Sequence, residues 1–518
     1  MRRWLGAIGA LAAGLLCAWQ SPPIAKVGSG ELSGKRLGSV DAFLGVPYAA
    51  PPVGPYRWRA PQPLKAWSGV RAADRFSPSC WQEISRGGQP WTHEYLPSGK
   101  VSEDCLYLNV WTATEGRPKR PVLLWIHGGA FSQGSGSVPI YDGARLAARG
   151  IVVVDINYRV GPFGFMALPQ LTREAAALGA PPTNFGLQDM VAALKWVHAN
   201  IEAFGGDPDQ VTIAGQSAGS MSVHDLVTSP MGKGLFRRAI AESSLPTTAP
   251  IMPLADAERA GAAFAKAKGA TTLAALRALP PQQLAAAALS PSFVTIVDGV
   301  LVREPPARAE AEGRFYDTPM LAGMTADEGS AMSQGYGIGA EASWRDLLQK
   351  NFGPMATHFA ELYPASTDTA RADASRDLLR DRGLGGLYKW SRGRLAVGRQ
   401  PLYLYMFDHT EPGRKSVQYG AFHSSEIPYI FQTLDASPER PFTAADRALS
   451  EQMSRYWVNF VRTGDPNGAG LPSWPKAMGD NPLILRIGAS TAARPALLPR
   501  LKPAFDQFIA AGGNPDIF

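Results

Sequence analysis

Val211-Thr212-Ile213-Ala214-Gly215-Gln216-Ser217-Ala218-Gly219-Ser220 is the stretch on which the reading of this chain turns. Val211 to Ala214 is a short apolar run of the kind that forms a strand covered on both faces. Ser220 to Val227 then has a helical pattern. A serine on so sharp a strand-to-helix turn has its hydroxyl pushed out into the open. The glycines on either side relieve the crowding, and the helix N-terminus adds partial positive charge beneath. The Gly-x-Ser-x-Gly spelling recurs by chance, so its context decides: a strand before and a helix after point to a nucleophilic serine.

Val122 to Ile126 and Ile151 to Ile156 are further continuous apolar runs. Between the latter and Val211, residues Gln188 to Ala203 carry Val191, Leu194, Trp196 and Val197 at helical spacing and stop at Gly205-Gly206. Strand, helix, strand in this order predicts an α/β chain with a mainly parallel sheet and helices on both faces. Pro319 to Ala322 and Leu402 to Phe407 extend the set of strands. Residues 250–315 and 330–400 are Ala-rich and helical in pattern, excursions placed to roof a site. Ala444 to Arg462 puts Leu449, Met453, Trp457 and Phe460 on one stripe, which reads as core packing.

The 518 residues are 45% hydrophobic and 18% charged, which excludes intrinsic disorder. The 54 glycines and 44 prolines have no collagen period and indicate many turns. Net charge is +7, but no run of five basic residues occurs, so no nucleic-acid partner is expected. Met1-Arg2-Arg3, an apolar stretch from Trp4 to Leu16 and Cys17-Ala18 together read as a signal peptide over residues 1–18. The apolar stretch, about 13 residues, is too short to span a bilayer. Residues 19–518 then read as one secreted or periplasmic domain without stable membrane insertion. Lipid attachment at Cys17 is the rival, weakened by Leu16 before it. Once the leader is removed only Cys80 and Cys105 remain, and an exported chain with one pair reads as holding one disulfide. Closing that loop stabilises by about 3.5 kcal/mol.

A hydrolytic serine needs amide donors for the oxyanion. The N–H of Ala218 is one, and His127-Gly128-Gly129-Ala130-Phe131, at the end of an earlier strand, offers Gly128 and Gly129. Each donor contributes about 3 kcal/mol in the transition state. His127 reads as a structural hydrogen-bonder. Gly134-Ser135-Gly136 begins a dinucleotide fingerprint, but Pro139 stands where its last glycine belongs, and no phosphate-loop or zinc motif occurs, so neither cofactor nor metal is expected. In this fold class the chain order is serine, acid, histidine, which leaves His358, His409 and His423. His358 lies in a helical stretch and reads as packing. His423, in a loop beyond the last strand, is favoured over His409. For the acid, spacing does not choose between Asp327 and Glu328.

Further blocks carry a resemblance. Phe43-Leu44-Gly45-Val46-Pro47-Tyr48-Ala49 with Pro51-Pro52-Val53-Gly54, Ser102-Glu103-Asp104-Cys105-Leu106-Tyr107-Leu108-Asn109, Asn157-Tyr158-Arg159, Phe204-Gly205-Gly206-Asp207-Pro208 and Gly464-Asp465-Pro466-Asn467 stand in order along nearly the whole chain. In these the sequence resembles the type-B carboxylesterases, the family of para-nitrobenzyl esterases and cholinesterases. The resemblance implies an α/β-hydrolase fold and a catalytic triad of Ser217, Glu328 and His423. It further implies an oxyanion hole from Gly128, Gly129 and Ala218, a Cys80–Cys105 disulfide, and a small-molecule ester substrate. The implied activity is that of a serine carboxylesterase. A lipase acting on longer glycerides and a non-catalytic adhesion module are the alternatives. One departure stands out: many members carry Glu before the serine where this chain has Gln216. That makes a quaternary-ammonium substrate a poor fit. Trp81 and Trp91 could offer such a cation their ring faces, but lining an apolar gorge is the simpler reading for both.

Overall fold

The apolar runs become strands of one large sheet. The structure, a computed structural model, describes residues 21–517 apart from 86, 116–118, 248–250 and 286–291. The leader read over 1–18, with Cys17, lies outside the described residues. In chain order the eleven strands of the main sheet are β1 (Lys35–Leu37), β2 (Val40–Pro47), β3 (Tyr107–Ala113), β4 (Arg120–Ile126), β5 (Val152–Ile156), β6 (Gly206–Gln216), β7 (Arg238–Glu242), β8 (Met320–Thr325), β9 (Leu402–Asp408), β10 (Leu483–Gly488) and β11 (Ala492–Pro495). Across the sheet they run β11-β10-β9-β8-β7-β6-β4-β5-β3-β2-β1. Every pairing from β10 across to β5 is parallel, and the strands outside them pair antiparallel. This is the mostly parallel sheet expected of an α/β-hydrolase.

Four helices matter for the site: α1 (Phe185–Asn200), α2 (Ala218–Thr228), α3 (Asp368–Val397) and α4 (Ala444–Thr463). The expected crossover helix is α1, starting three residues earlier than its pattern indicated and ending in a 3₁₀ turn over Ile201–Phe204. α4 begins with a capping box in which Thr443 and Asp446 satisfy each other's backbone N–H groups. Its stripe of Leu449, Met453, Trp457 and Phe460 is buried, as the spacing predicted. Trp457 also donates from its indole to Glu242 at the end of β7, 2.7 Å away, which ties α4 to the middle of the sheet.

Burial is continuous. One cluster of buried apolar side chains runs from Ala25 to Phe508 and takes in Trp58, Trp111, Trp125, Trp457 and Trp474. β7 escaped the sequence reading because its five residues include Arg238 and Glu242, both buried, and a strand with charged ends lacks the apolar run used to find the others. His358, read as packing, lies instead on an exposed face of a short helix, with only its neighbour Phe359 turned inward. Among the described residues no helix is long and apolar enough to cross a membrane.

Candidate active site

The parallel register fixes where the site lies. β4, β6, β7, β8 and β9 all deliver their C-terminal ends to the same edge of the sheet, where ligands gather in open α/β sheets. β6 ends at Gln216 and α2 begins at Ala218, so the whole turn is Ser217. Its backbone sits at φ +58 and ψ −123, a conformation that a side chain rarely adopts and that sharp packing must enforce. The flanking glycines show that packing. A Cβ on Gly215 would lie 2.5 Å from the Gly219 carbonyl carbon, and one on Gly219 would overlap the carbonyl oxygen of Ile126 on β4. The N–H of Ser217 donates to the Glu242 carbonyl of β7 at 2.9 Å.

Against this turn lies the loop after β4. A Cβ on Gly128 would come within 2.7 Å of the Gln216 carbonyl oxygen and 3.0 Å of the Ser217 Cβ, so only bare backbone fits there. Among the described residues the N–H groups of Gly128, Gly129 and Ala218 have no protein acceptor. His127 is buried, stacks on Tyr158 at 4.2 Å between ring centroids, and has its Nδ1 2.8 Å from the Gly128 carbonyl. Burial holds its pKa down to about 4, so it is neutral and structural.

The two neighbouring acids after β8 divide their work. Glu328 Oε2 lies 2.5 Å from Nδ1 of His423, and its Oε1 accepts the N–H of Thr325 at 2.8 Å. Asp327 takes the backbone of the same loop. Its Oδ2 accepts the N–H of Ala421 at 2.9 Å, while its Oδ1 accepts from the Tyr336 hydroxyl at 2.8 Å and from Arg380 at 3.1 Å. Sequence spacing could not separate these two residues, because both face the histidine loop. His409 is elsewhere: its Nε2 lies 2.7 Å from Asp446 in the cap of α4.

His423 is 5% exposed. Burial lowers its pKa, but the Glu328 carboxylate, with Glu426 behind it, raises it by more, and the net shift is upward. On the far side of the ring, the Gln216 amide donates to Nε2 at 3.1 Å, which places the imidazole over the turn that carries Ser217. Trp91, from the loop closed by the Cys80–Cys105 disulfide, donates its indole N–H to the carbonyl of His423 at 3.0 Å. That contact gives Trp91 a task that the sequence reading, apolar lining, did not foresee.

Two carboxyls here were not anticipated. Glu426 is fully buried, accepts from the Ser243 hydroxyl at 2.9 Å, and is pushed up to about 7 by burial and by Glu328. Glu242 is buried beside it, and burial raises its pKa well above the usual range. The available signal was positional, an acid one turn past His423 and another at the end of a strand, and neither spelling is distinctive. No group of side chains able to hold a metal ion occurs among the described residues.

The family model described as the carboxylesterase family matches residues 21–501. The chain belongs to that family. It is similar to a fumonisin B1 esterase of Sphingopyxis macrogoltabida, with 36% identity over 495 residues, 91% of this chain and 88% of that protein. A para-nitrobenzyl esterase of Bacillus subtilis (strain 168) is 36% identical over 465 residues, 86% of this chain and 91% of the relative. An acetylcholinesterase of Danio rerio is 34% identical, covering 85% of this chain and 79% of its own length. This carboxylesterase-family chain is accordingly a carboxylic ester hydrolase of the α/β-hydrolase fold, acting on small-molecule esters.

Proposed function

We propose that Ser217, His423 and Glu328 are the catalytic triad of this ester hydrolase, with the N–H groups of Gly128, Gly129 and Ala218 as its oxyanion hole. Ser217 Oγ attacks the ester carbonyl carbon while its proton passes to Nε2 of His423. Negative charge develops on the carbonyl oxygen, toward the three unpartnered N–H groups. The tetrahedral species collapses as the carbon–oxygen bond to the alcohol breaks, and His423 returns the proton to the departing alkoxide. Water then attacks the acyl-enzyme, giving its proton to His423, and the acid leaves as Ser217 is restored. Glu328 fixes the imidazole with its proton on Nδ1 and stabilises the imidazolium.

The observation that carries this reading is the Glu328–His423 contact, with the far nitrogen of the ring 3.1 Å from the side chain of Gln216, the residue before a serine held at φ +58. The test is Ser217→Ala assayed on short-chain nitrophenyl esters and on emulsified triglyceride. The variant should lose at least about 10⁴-fold in kcat on whichever class the parent hydrolyses. Undiminished turnover would mean that another residue is the nucleophile.

We further propose that the chain is exported after removal of residues 1–18 and that residues 19–518 act as one domain. Support comes from the apolar N-terminal stretch, the Cys80–Cys105 disulfide and the unbroken apolar core. The mass of the mature N-terminus from an exporting host checks the cleavage.

A further inference from the structure

Trp91 sits in the loop between Cys80 and Cys105, most of which has irregular backbone, yet its indole meets the carbonyl of His423. A disulfide anchors the ends of such a loop but does not aim a side chain in its middle. The aim comes from Arg440, in the segment between the helix Ile427–Phe431 and α4. Its Nη2 donates to the Pro90 carbonyl at 2.7 Å and to Thr92 Oγ1 at 2.9 Å, the residues on either side of Trp91. Its Nε donates to Oε1 of Glu94, in the 3₁₀ turn His93–Tyr95, at 2.8 Å.

The same guanidinium reaches the loop of the base. It lies 5.7 Å from the centre of the Phe422 ring, the residue before His423, and 5.5 Å from that of Tyr95. Tyr95 and Phe422 meet edge to face, 5.6 Å between centroids. The Tyr95 hydroxyl donates to Glu411 at 2.6 Å, and the other oxygen of Glu411 lies 3.2 Å from Nε of Arg440. Arg440 is 8% exposed, and both acids are buried. Two carboxyls and a cation taken out of water are costly, and apolar side chains would fill the same space at less cost. What the guanidinium adds is direction, because its N–H groups form a rigid planar fork and its face stacks on rings.

We propose that Arg440 is a positioning residue for the base: it holds the chain on both sides of Trp91, and through the Trp91 N–H on the His423 carbonyl and the packing on Phe422 it sets where the imidazole stands beside Glu328. The proposal rests on the triad reading above. Proton transfer needs that placement, so loss of it lowers kcat and leaves KM nearly as it was. It also lets the ring drift from Glu328, whose charge raises the pKa of His423. The midpoint of the rise of kcat/KM with pH then moves down.

The test uses the full chain and an uncharged nitrophenyl ester. Trp91→Phe keeps an aromatic ring and drops the N–H; Arg440→Lys keeps the cation that balances the two acids and drops the fork. Each should lower kcat about tenfold, hold KM within about twofold and shift the midpoint downward. The double variant should be little worse than either single one, because both break one chain of contacts. A merely structural role would lower the melting temperature and leave the midpoint of the surviving enzyme in place. Unmoved kcat and midpoint in the single variants would overturn the proposal, as would effects that multiply in the double one. If Arg440→Lys does not fold, Thr92→Val removes one arm of the clamp: about threefold in kcat with the same downward midpoint supports the proposal, and no change in either overturns it. Failure of the triad reading shows separately, as turnover surviving Ser217→Ala.

Discussion

The turn at Ser217 and the loop at His423 meet across one site, yet different physics holds each of them. The turn is held by its own backbone. Gly215 and Gly219 leave no room for a methyl group, and the strained φ of Ser217 follows from a strand running straight into a helix. The loop is held by side chains from distant parts of the chain. Asp327 takes the N–H of Ala421, Glu328 takes the ring, Trp91 takes the carbonyl, and Gln216 takes Nε2. Arg440 adds a cation over the Phe422 ring at 5.7 Å while pairing with the buried Glu94 at 2.8 Å. The turn is a backbone object, set by β6 running into α2 and by the Ile126 and Glu242 carbonyls of the neighbouring strands. The loop acquires its shape only after residues hundreds of positions apart have folded around it.

Damage to the turn should therefore be the more global. In Gly219→Ala the new methyl overlaps the Ile126 carbonyl of β4, so the first turn of α2 cannot keep its place against β4. Loss of about 3 kcal/mol or more in denaturant melts is expected, with activity falling at least about 10³-fold even where the variant folds. Near-parental stability with normal turnover would show that the turn is not sterically set.

Damage to the loop should separate activity from stability. Glu328→Gln keeps the shape but removes the charge beside Nδ1, and kcat should fall about 10² to 10⁴-fold with little change in melting temperature. Asp327→Asn touches the backbone side of the loop, the Arg380 pair and the bond from the Tyr336 hydroxyl. About tenfold in kcat and about 1 kcal/mol in stability are expected from it. The reverse ranking of the two variants would assign the acid to Asp327.

The same division explains what the sequence made legible. The strand-to-helix turn at Ser217, the Gly128-Gly129 loop and the central parallel strands are local patterns, so apolar runs and glycine spelling sufficed to find them. The choice between Asp327 and Glu328 depends on which carboxylate meets the ring and which meets a backbone amide. That contact pattern follows from the approach of residues 420–423, which no local spacing in the sequence encodes. Glu242 and Glu426 were invisible for a related reason. A carboxyl turned into the core looks in sequence like any solvated acid. His358 shows the opposite failure, since a position beside a buried Phe359 does not bury its neighbour on a helix.

A polar contact joins turn and loop, Gln216 to His423, and a substitution there gives the smallest but most telling effect. In the proposed mechanism His423 must be neutral at Nε2 to accept the serine proton. Because the pKa of His423 is raised from its usual value, kcat/KM should climb with pH through that raised value and level off above it. The Gln216 amide, donating to Nε2, favours the neutral ring. Gln216→Glu would replace that donor with a carboxylate at the same nitrogen and favour the imidazolium. The midpoint of the rise should then move up by about one pH unit, while rates on the upper plateau approach those of the parent. The measurement is kcat/KM for an uncharged nitrophenyl ester across neutral pH, where imidazole titrates. An unmoved midpoint would mean that the side chain at 216 leaves the ring in the working enzyme, so that the loop's hold on the base is Glu328's alone. A downward shift would contradict the sign of the contact itself.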